Sequence, residues 1–364
     1  MEVQSLLDNI QELSDLELGV LLSLIAQGHC LMTTEDDLVD DLANELSLIA
    51  SERFGLSYVV LEPEDLCSVD RFGEAILEET GTQFSAEDDP QPGSFRARLA
   101  NLDIRAAPKL SQRLSRENGR FDDRMVKNVI IAKGFNFADE YVQVQTIEII
   151  NNKRFFSRTT VHIAPKTFLF IPIVTASSKD THLTPHLNDR LFISHYHHPD
   201  HGFANLEELD YSAVSDDSSG RSRQRSSWES TQKSRLISKD VIDKVRAMGE
   251  AAAITPEVRR YLQDIITFLR MERGVDGGVT PRATSQFVAL AKHLAPLHGV
   301  DFVTPSLVML AARKVYAHRI MIAEPARERS MQYGSDPAAV AELLQDLTPQ
   351  LVIEEVLNTV QCPI

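Results

Sequence analysis

The sequence is poor in cysteine. Its 364 residues include three, Cys30, Cys67 and Cys362. The number is odd, the three lie far apart, and no CxxC pair occurs, so neither a disulfide framework nor a cysteine zinc site is expected. No window approaches 18 consecutive apolar residues, so no transmembrane helix is expected. The N-terminal stretch MEVQSLLDNIQELSDLELG lacks the basic start and apolar run of a signal peptide, and the expected location is the cytosol. Basic charge is in deficit: 37 Lys and Arg stand against 53 Asp and Glu, a net charge of −16. Such a chain is not expected to bind nucleic acid over its whole surface. Catalytic signatures of the GxSxG, HExxH and GxGxxG types are missing as well.

What is present is a length suited to two or three domains and a hydrophobic fraction, 43%, ample for a large core. The first half alternates helix and strand. Apolar residues recur at helical spacing over 3–27, and the run His29–Met32 reads as a short buried strand. A helix is expected over 38–53, a strand over 58–61, a strand over 126–132, a helix over 139–152, a hairpin over 154–163, and buried strands over 167–174 and 191–196. The alternation predicts an α/β fold, a mainly parallel sheet with helices on both faces. Residues 81–95 are acidic and rich in Pro and Gly and read as an exposed loop. Ser, Arg, Asp and Gln dominate 212–238, a flexible linker by composition. Strong helical periodicity then returns over 239–251, 256–272, 281–298 and 304–320, with Thr255-Pro256 and Thr304-Pro305 as helix starts. A last helix is expected over roughly 336–360. The expected domains are thus an α/β core over 1–205, a linker over 206–238, an all-helical domain over 239–325 and a C-terminal helix or tail over 326–364.

Residues 278–320 carry a more specific signal. They read GVTPRATSQFVALAKHLAPLHGVDFVTPSLVMLAARKVYAHRI: a small-Pro-Arg-Ala helix start, an Ala-rich helix, a Gly-x-Asp-aromatic-Val-Thr-Pro turn and a helix ending His-Arg. This stretch resembles the lid of AAA+ ATPases of the MoxR and magnesium-chelatase branch. Lys127–Ala138 is similar to that family's Walker B strand and following loop, Phe168–Ser177 to its sensor-1 strand, and Leu187–Phe192 to its Leu-Asp-Arg-Phe motif. The resemblance implies a P-loop-type parallel sheet domain followed by a helical lid. It also implies Arg190 as the arginine finger that reaches a neighbouring subunit's site, and Arg282 as the sensor-2 arginine that contacts nucleotide. For both arginines a purely structural role stands beside the implied one.

The catalytic parts of that family are missing. No GxxxxGK[ST] and no Gly-Lys dipeptide occur, whereas phosphate transfer in this fold needs the loop, its Lys and its Ser/Thr. The corresponding stretch, Met32–Leu38, has neither Gly nor Lys and carries Glu35, Asp36 and Asp37. After the strand NVIIA comes Lys133-Gly134, a cation where the family places a metal-binding acid; Asp139 and Glu140 lie further on, at an expected helix start. At the sensor-1 position stands Thr175-Ala-Ser-Ser178 in place of the family's Asn. The expectation is a degenerate AAA+-like pseudo-ATPase, a scaffold or adaptor for a protein partner or an AAA+ paralogue, in a ring with an active copy or alone. It would bind no cofactor of its own and no metal. The alternative is an ATP-dependent magnesium-chelatase-like subunit, with ATP and magnesium as cofactors.

Two further clusters stand out. His195, His197, His198 and His201 invite a metal reading, but their spacing fits no standard zinc pattern, and a structural or solvated role is expected. Arg221–Trp228 is locally basic, with Ser222, Ser226 and Ser227 beside arginines. It reads as a solvated tether, with phosphorylation and nucleic-acid binding as the alternatives.

Overall fold

The computed structural model describes residues 13–78, 124–157, 160–176, 183–207, 236–332 and 335–363. The acidic stretch 81–95 and the basic stretch 221–228 lie outside them. Five parallel strands form the central sheet: β1 (Cys30–Thr34), β2 (Tyr58–Leu61), β3 (Val129–Ala132), β4 (Leu169–Thr175) and β5 (Ile193–Tyr196), in the spatial order β2-β3-β4-β1-β5. Every residue of β3 and β4 is buried, as expected of parallel strands covered on both faces. Pro172 sits inside β4 although proline cannot donate to a ladder. It lies where the ladder to β3 ends, at Ala132, and the ladder to β1 begins, at Ile173. The strand order reverses around β1. The chain leaves β1 toward β2 on one side, and later crosses from β4 over β1 to β5. A crevice at the carboxyl ends of the strands is the consequence.

Helices α1 (Asp15–Ala26), α2 (Val39–Leu48), α3 (Val69–Ile76), α4 (Glu140–Asn152) and the single turn α5 (Pro185–Asn188) connect the strands. A capping box starts α1: Ser14 Oγ accepts from the Glu17 N–H and Glu17 Oε2 accepts from the Ser14 N–H. Its residues Leu16, Val20, Leu21, Leu24 and Ile25 are all buried, so it is apolar nearly all round, the pattern of a helix packed on several sides. The expected strand 126–132 breaks in two. Met125–Val126 pairs with Leu77–Glu78, and only Val129–Ala132 joins the sheet. Asn128 makes the break, since its amide bridges Ser57 Oγ (2.9 Å) and the Thr167 carbonyl (2.8 Å). The expected hairpin is Arg154–Phe156 against Val161–Ile163.

The helical domain holds α6 (Lys239–Ala251), α7 (Pro256–Met271), α8 (Pro281–Leu297) and α9 (Pro305–Tyr316). Thr255, Thr280 and Thr304 each cap a helix whose first residue is proline. The domain shares one apolar core with the sheet: α1 packs on α6 and α8, and α9 on β5. The single last helix expected over 336–360 is two, α10 (Pro337–Leu344) and α11 (Pro349–Thr359). Pro349 excludes a helical conformation at Thr348, whose ψ of 155° is extended and whose side chain caps α11. No helix among the described residues is long and apolar enough to cross a membrane.

Backbone conformation at two glycines and a buried histidine set the stability of the fold. Gly278 has φ +100°, and a Cβ there would lie 1.9 Å from the Arg319 carbonyl oxygen. Gly55 has φ +60° and only one side chain at ordinary contact distance. Gly55→Ala should cost about 1–2 kcal/mol from its backbone alone, and Gly278→Ala clearly more; equal losses in chemical denaturation would contradict this. His29 Nδ1 accepts the Phe170 N–H at 3.0 Å, so the fold selects a neutral ring. Burial, helped by the Lys153 charge, lowers its pKa to about 3. In the unfolded chain the ring protonates near pH 6.5, so the stability it contributes is full above that value and is lost as pH falls toward the folded pKa. Between pH 7 and pH 5 the loss is about 2 kcal/mol for this ring. In His29→Gln the fall of unfolding free energy with pH should be shallower, and an unchanged slope would contradict the assignment.

Candidate functional site

The carboxyl edge of the sheet is built by three connections. After β1 comes Glu35, a single 3-10 turn over Asp36–Leu38, and then α2, which starts at Leu38 without a side-chain cap and has Asp40 and Asp41 in its first turn. The direct step from strand to helix leaves no wide backbone loop to wrap a phosphate. After β2 comes Glu62. After β3 comes Lys133, whose ammonium donates to Asp40 Oδ1 (2.8 Å) and lies 2.5 Å from Glu62 Oε1. Its side chain is 12% exposed. Burial alone would lower its pKa, but the bonds and charges of Asp40 and Glu62 hold it above the usual lysine value. One cation thus ties the ends of β2 and β3 to the start of α2.

These residues do not fit a magnesium–nucleoside triphosphate. The connection after β1 presents carboxylates, and the nearby lysine is already bonded to two others. A polyphosphate there would meet like charge. Asp139 caps α4 by accepting the Tyr141 N–H at 2.8 Å. Gly134 adopts the left-handed conformation (φ +59°) that turns the chain after Lys133. Beyond it Asn136 is fully buried, and neither amide atom has a partner among the described residues. Thr175 ends β4 opposite Thr34; Ser177 and Ser178 lie outside the described residues.

The two arginines singled out in the sequence meet at the other side of the sheet, around Asp189, between α5 and β5. Asp189 Oδ1 accepts from Thr280 Oγ1 at 2.5 Å, its Oδ2 lies 3.6 Å from Arg282 Nε, and Arg319 Nε lies 4.0 Å from Oδ1. The carboxylate turns to these lid residues and not into a local pair with Arg190. Arg190 is half-exposed; its backbone N–H donates to the Leu187 carbonyl at 2.8 Å, and its guanidinium makes no hydrogen bond among the described residues. Burial lowers its pKa, as does the neighbouring Arg282 charge, with Asp189 acting the other way.

Arg319 was noted in the sequence only as the end of the last lid motif. Its side chain is 1% exposed. It donates to the carbonyls of Val315 (2.6 Å) and Leu191 and to Gln286 Oε1. Burial lowers its pKa to about 10 in spite of Asp189. Its neighbour His318 contacts the Leu191 carbonyl through Nε2 (3.2 Å), and Asn188 Nδ2 donates to the His318 carbonyl. The His-Arg ending therefore clamps the lid to the segment that leads into β5.

His195 points from β5 to the lid, with Nδ1 3.2 Å from Lys314 Nζ and Nε2 without a partner among the described residues. Burial first, and then Lys314, lowers its pKa to about 4. His197 stacks on Phe203 with centroids 4.7 Å apart. Among the described residues no three His, Cys, Asp or Glu side chains are arranged to hold a metal. His195 packs against the lid, His197 is buried on Phe203, and His198 and His201 are exposed.

The clamp yields a prediction. Asp189→Ala removes the Thr280 hydrogen bond and leaves the buried Arg319 without its carboxylate, which should cost about 2–3 kcal/mol. Asp189→Asn keeps an acceptor for Thr280 and should cost less. Unfolding midpoints in urea check the order, and two equal losses would contradict it.

Comparison with known proteins bears on this architecture. The AAA lid domain family matches residues 268–343. A protein of Kluyveromyces lactis named maintenance of telomere capping protein 2 is 34% identical over 92 residues, 24% of this chain and 34% of that protein. The protein of the same name in Saccharomyces cerevisiae is 35% identical over 104 residues, 27% of this chain and 29% of that protein. The matched stretch thus spans about a third of the length of these curated relatives. A crystal structure of an ATPase candidate from Cytophaga hutchinsonii superposes with a TM-score of 0.60 at 15% identity, covering 100% of this chain and 97% of that one. The chain has an AAA+-like fold, a parallel α/β core carrying an AAA lid domain.

Proposed function

We propose that this chain is a pseudo-ATPase of the MoxR and magnesium-chelatase branch. Its role is that of a cytosolic scaffold or adaptor that holds a protein partner or an AAA+ paralogue. The observation that supports this reading most is the exchange of charge at the carboxyl edge. Acids stand after β1 where a phosphate-binding lysine is needed, and Lys133 stands after β3 where a metal-binding acid is needed. A single loss would leave a weak enzyme; the exchange turns both ends of the phosphate position against their ligand. The lid is nevertheless kept, and Arg190 stays half-exposed, its guanidinium free of hydrogen bonds among the described residues. A neighbouring subunit's nucleotide is the ligand such an arginine would reach. The yeast relatives are named for maintenance of telomere capping, and their shared stretch extends the proposal to a partner from that process.

Calorimetric titration of the full chain with ATP and ADP in the presence of magnesium, beside a phosphate-release assay, tests the proposal. The expected result is no heat of binding and no turnover. Binding with turnover would overturn it and favour the magnesium-chelatase-like enzyme.

A further inference from the structure

The amino edge of the sheet, opposite the crevice, holds a cavity of about 230 Å³ between the core and the first lid helix. In a chain of net charge −16 its lining is unusual. Four cationic residues from three stretches line it: Lys153 and Lys166 from either side of the hairpin, and Lys239 and Arg246 from one face of α6. The one carboxylate in the lining, Asp243, is bonded to Arg246 at 2.5 Å.

Arg246 is otherwise engaged. It donates to the carbonyls of Ile25 (2.6 Å) and Leu24 (2.9 Å) and so closes the C-terminus of α1. The three lysines remain. Lys153 gives one N–H to the Lys166 carbonyl (2.7 Å) and has two more to offer. Among the described residues no carboxylate forms a salt bridge with Lys153, Lys166 or Lys239. Their field is felt nearby, since the Lys153 charge adds to burial in keeping His29 neutral. The rest of the wall is apolar, with Phe54 and Phe168 as its largest members and Leu24 and Ile242 beside them.

We infer that this cavity binds a small organic anion, its phosphate or carboxylate held by Lys153, Lys166 and Lys239 and a short apolar body set against Phe54 and Phe168. Sites for larger organic ligands enclose about 300–1,000 Å³; this one suits a single ring with its charged group. Cations placed over an apolar wall favour such a ligand twice. The anion meets donors that lack carboxylate partners among the described residues, and the ring removes apolar surface from water. The site is remote from the carboxyl edge and does not depend on the pseudo-ATPase reading.

Calorimetry of the full chain with phenyl phosphate and with phenylacetate tests the inference, with benzyl alcohol as the uncharged control. Saturable binding of at least one anion is expected, weakening as salt is raised. Lys239→Glu should weaken it about tenfold or more, the loss of one charge-assisted hydrogen bond. Lys244→Glu, the same charge change at an exposed position of α6 outside the cavity lining, should leave it within about twofold. Thermal melts establish that both variants are folded. The inference is overturned if neither anion binds, if the two variants lose binding equally, or if benzyl alcohol binds as tightly as the anions.

Discussion

The structure turns on one buried guanidinium. Arg319 reaches from the end of the last lid motif into the base of β5 and donates to the carbonyls of Leu191, Phe192 and Val315 and to Gln286, with Asp189 as its counter-charge. A buried arginine stripped of such partners is very costly, so the lid has one place to sit. Much else follows from that placement. Thr280 and Arg282 are drawn to the same carboxylate, α9 lies on β5, and α1 is enclosed between the sheet and the lid helices. The two domains read from sequence periodicity thus share one apolar core, while a second apolar cluster lies within the α/β part alone.

The same scaffold that holds the lid also leaves a crevice at the carboxyl edge, and there the charges run against nucleotide. Lys133 is bonded to Asp40 and Glu62 across three connections. The pairs are partly exposed, and each is worth only about 0.2–1 kcal/mol to stability. Their effect is on ligand choice. They engage the Lys133 ammonium at the carboxyl edge with two carboxylates. At the opposite edge the sign is reversed: lysines ring an apolar cavity in an otherwise acidic protein. The molecule separates charge between the two ends of its sheet.

Strand and helix periods placed β1, β2, β4, β5 and the four main lid helices to within a few residues, because burial on both faces and Thr-Pro helix starts leave local marks. Asn128, which splits one expected strand, left no such mark; its effect arises from Ser57 and Thr167, far away in sequence. The division of the last helix has a local mark in Thr348-Pro349, the same cap-and-proline pair that starts α7 and α9, which the expectation of one helix over 336–360 leaves out. Arg190 and Arg282 were legible only through a resemblance. Their meeting at Asp189, and the part played by Arg319, depends on contacts over 91 to 130 residues of separation, which no local pattern encodes. The bond between Asp40 and Lys133 spans 93 residues and is equally hidden in the sequence, where only Lys133 stands out as a departure from a motif.

Amide hydrogen exchange of the full chain, measured with and without magnesium–ATP, tests the central claim most directly, since it reads the carboxyl edge and the lid clamp together. The account predicts identical protection in both conditions over residues 34–42, 131–140 and 315–320. New protection in those segments when nucleotide is present would show that the exchanged charges do not close the site, and would contradict the account.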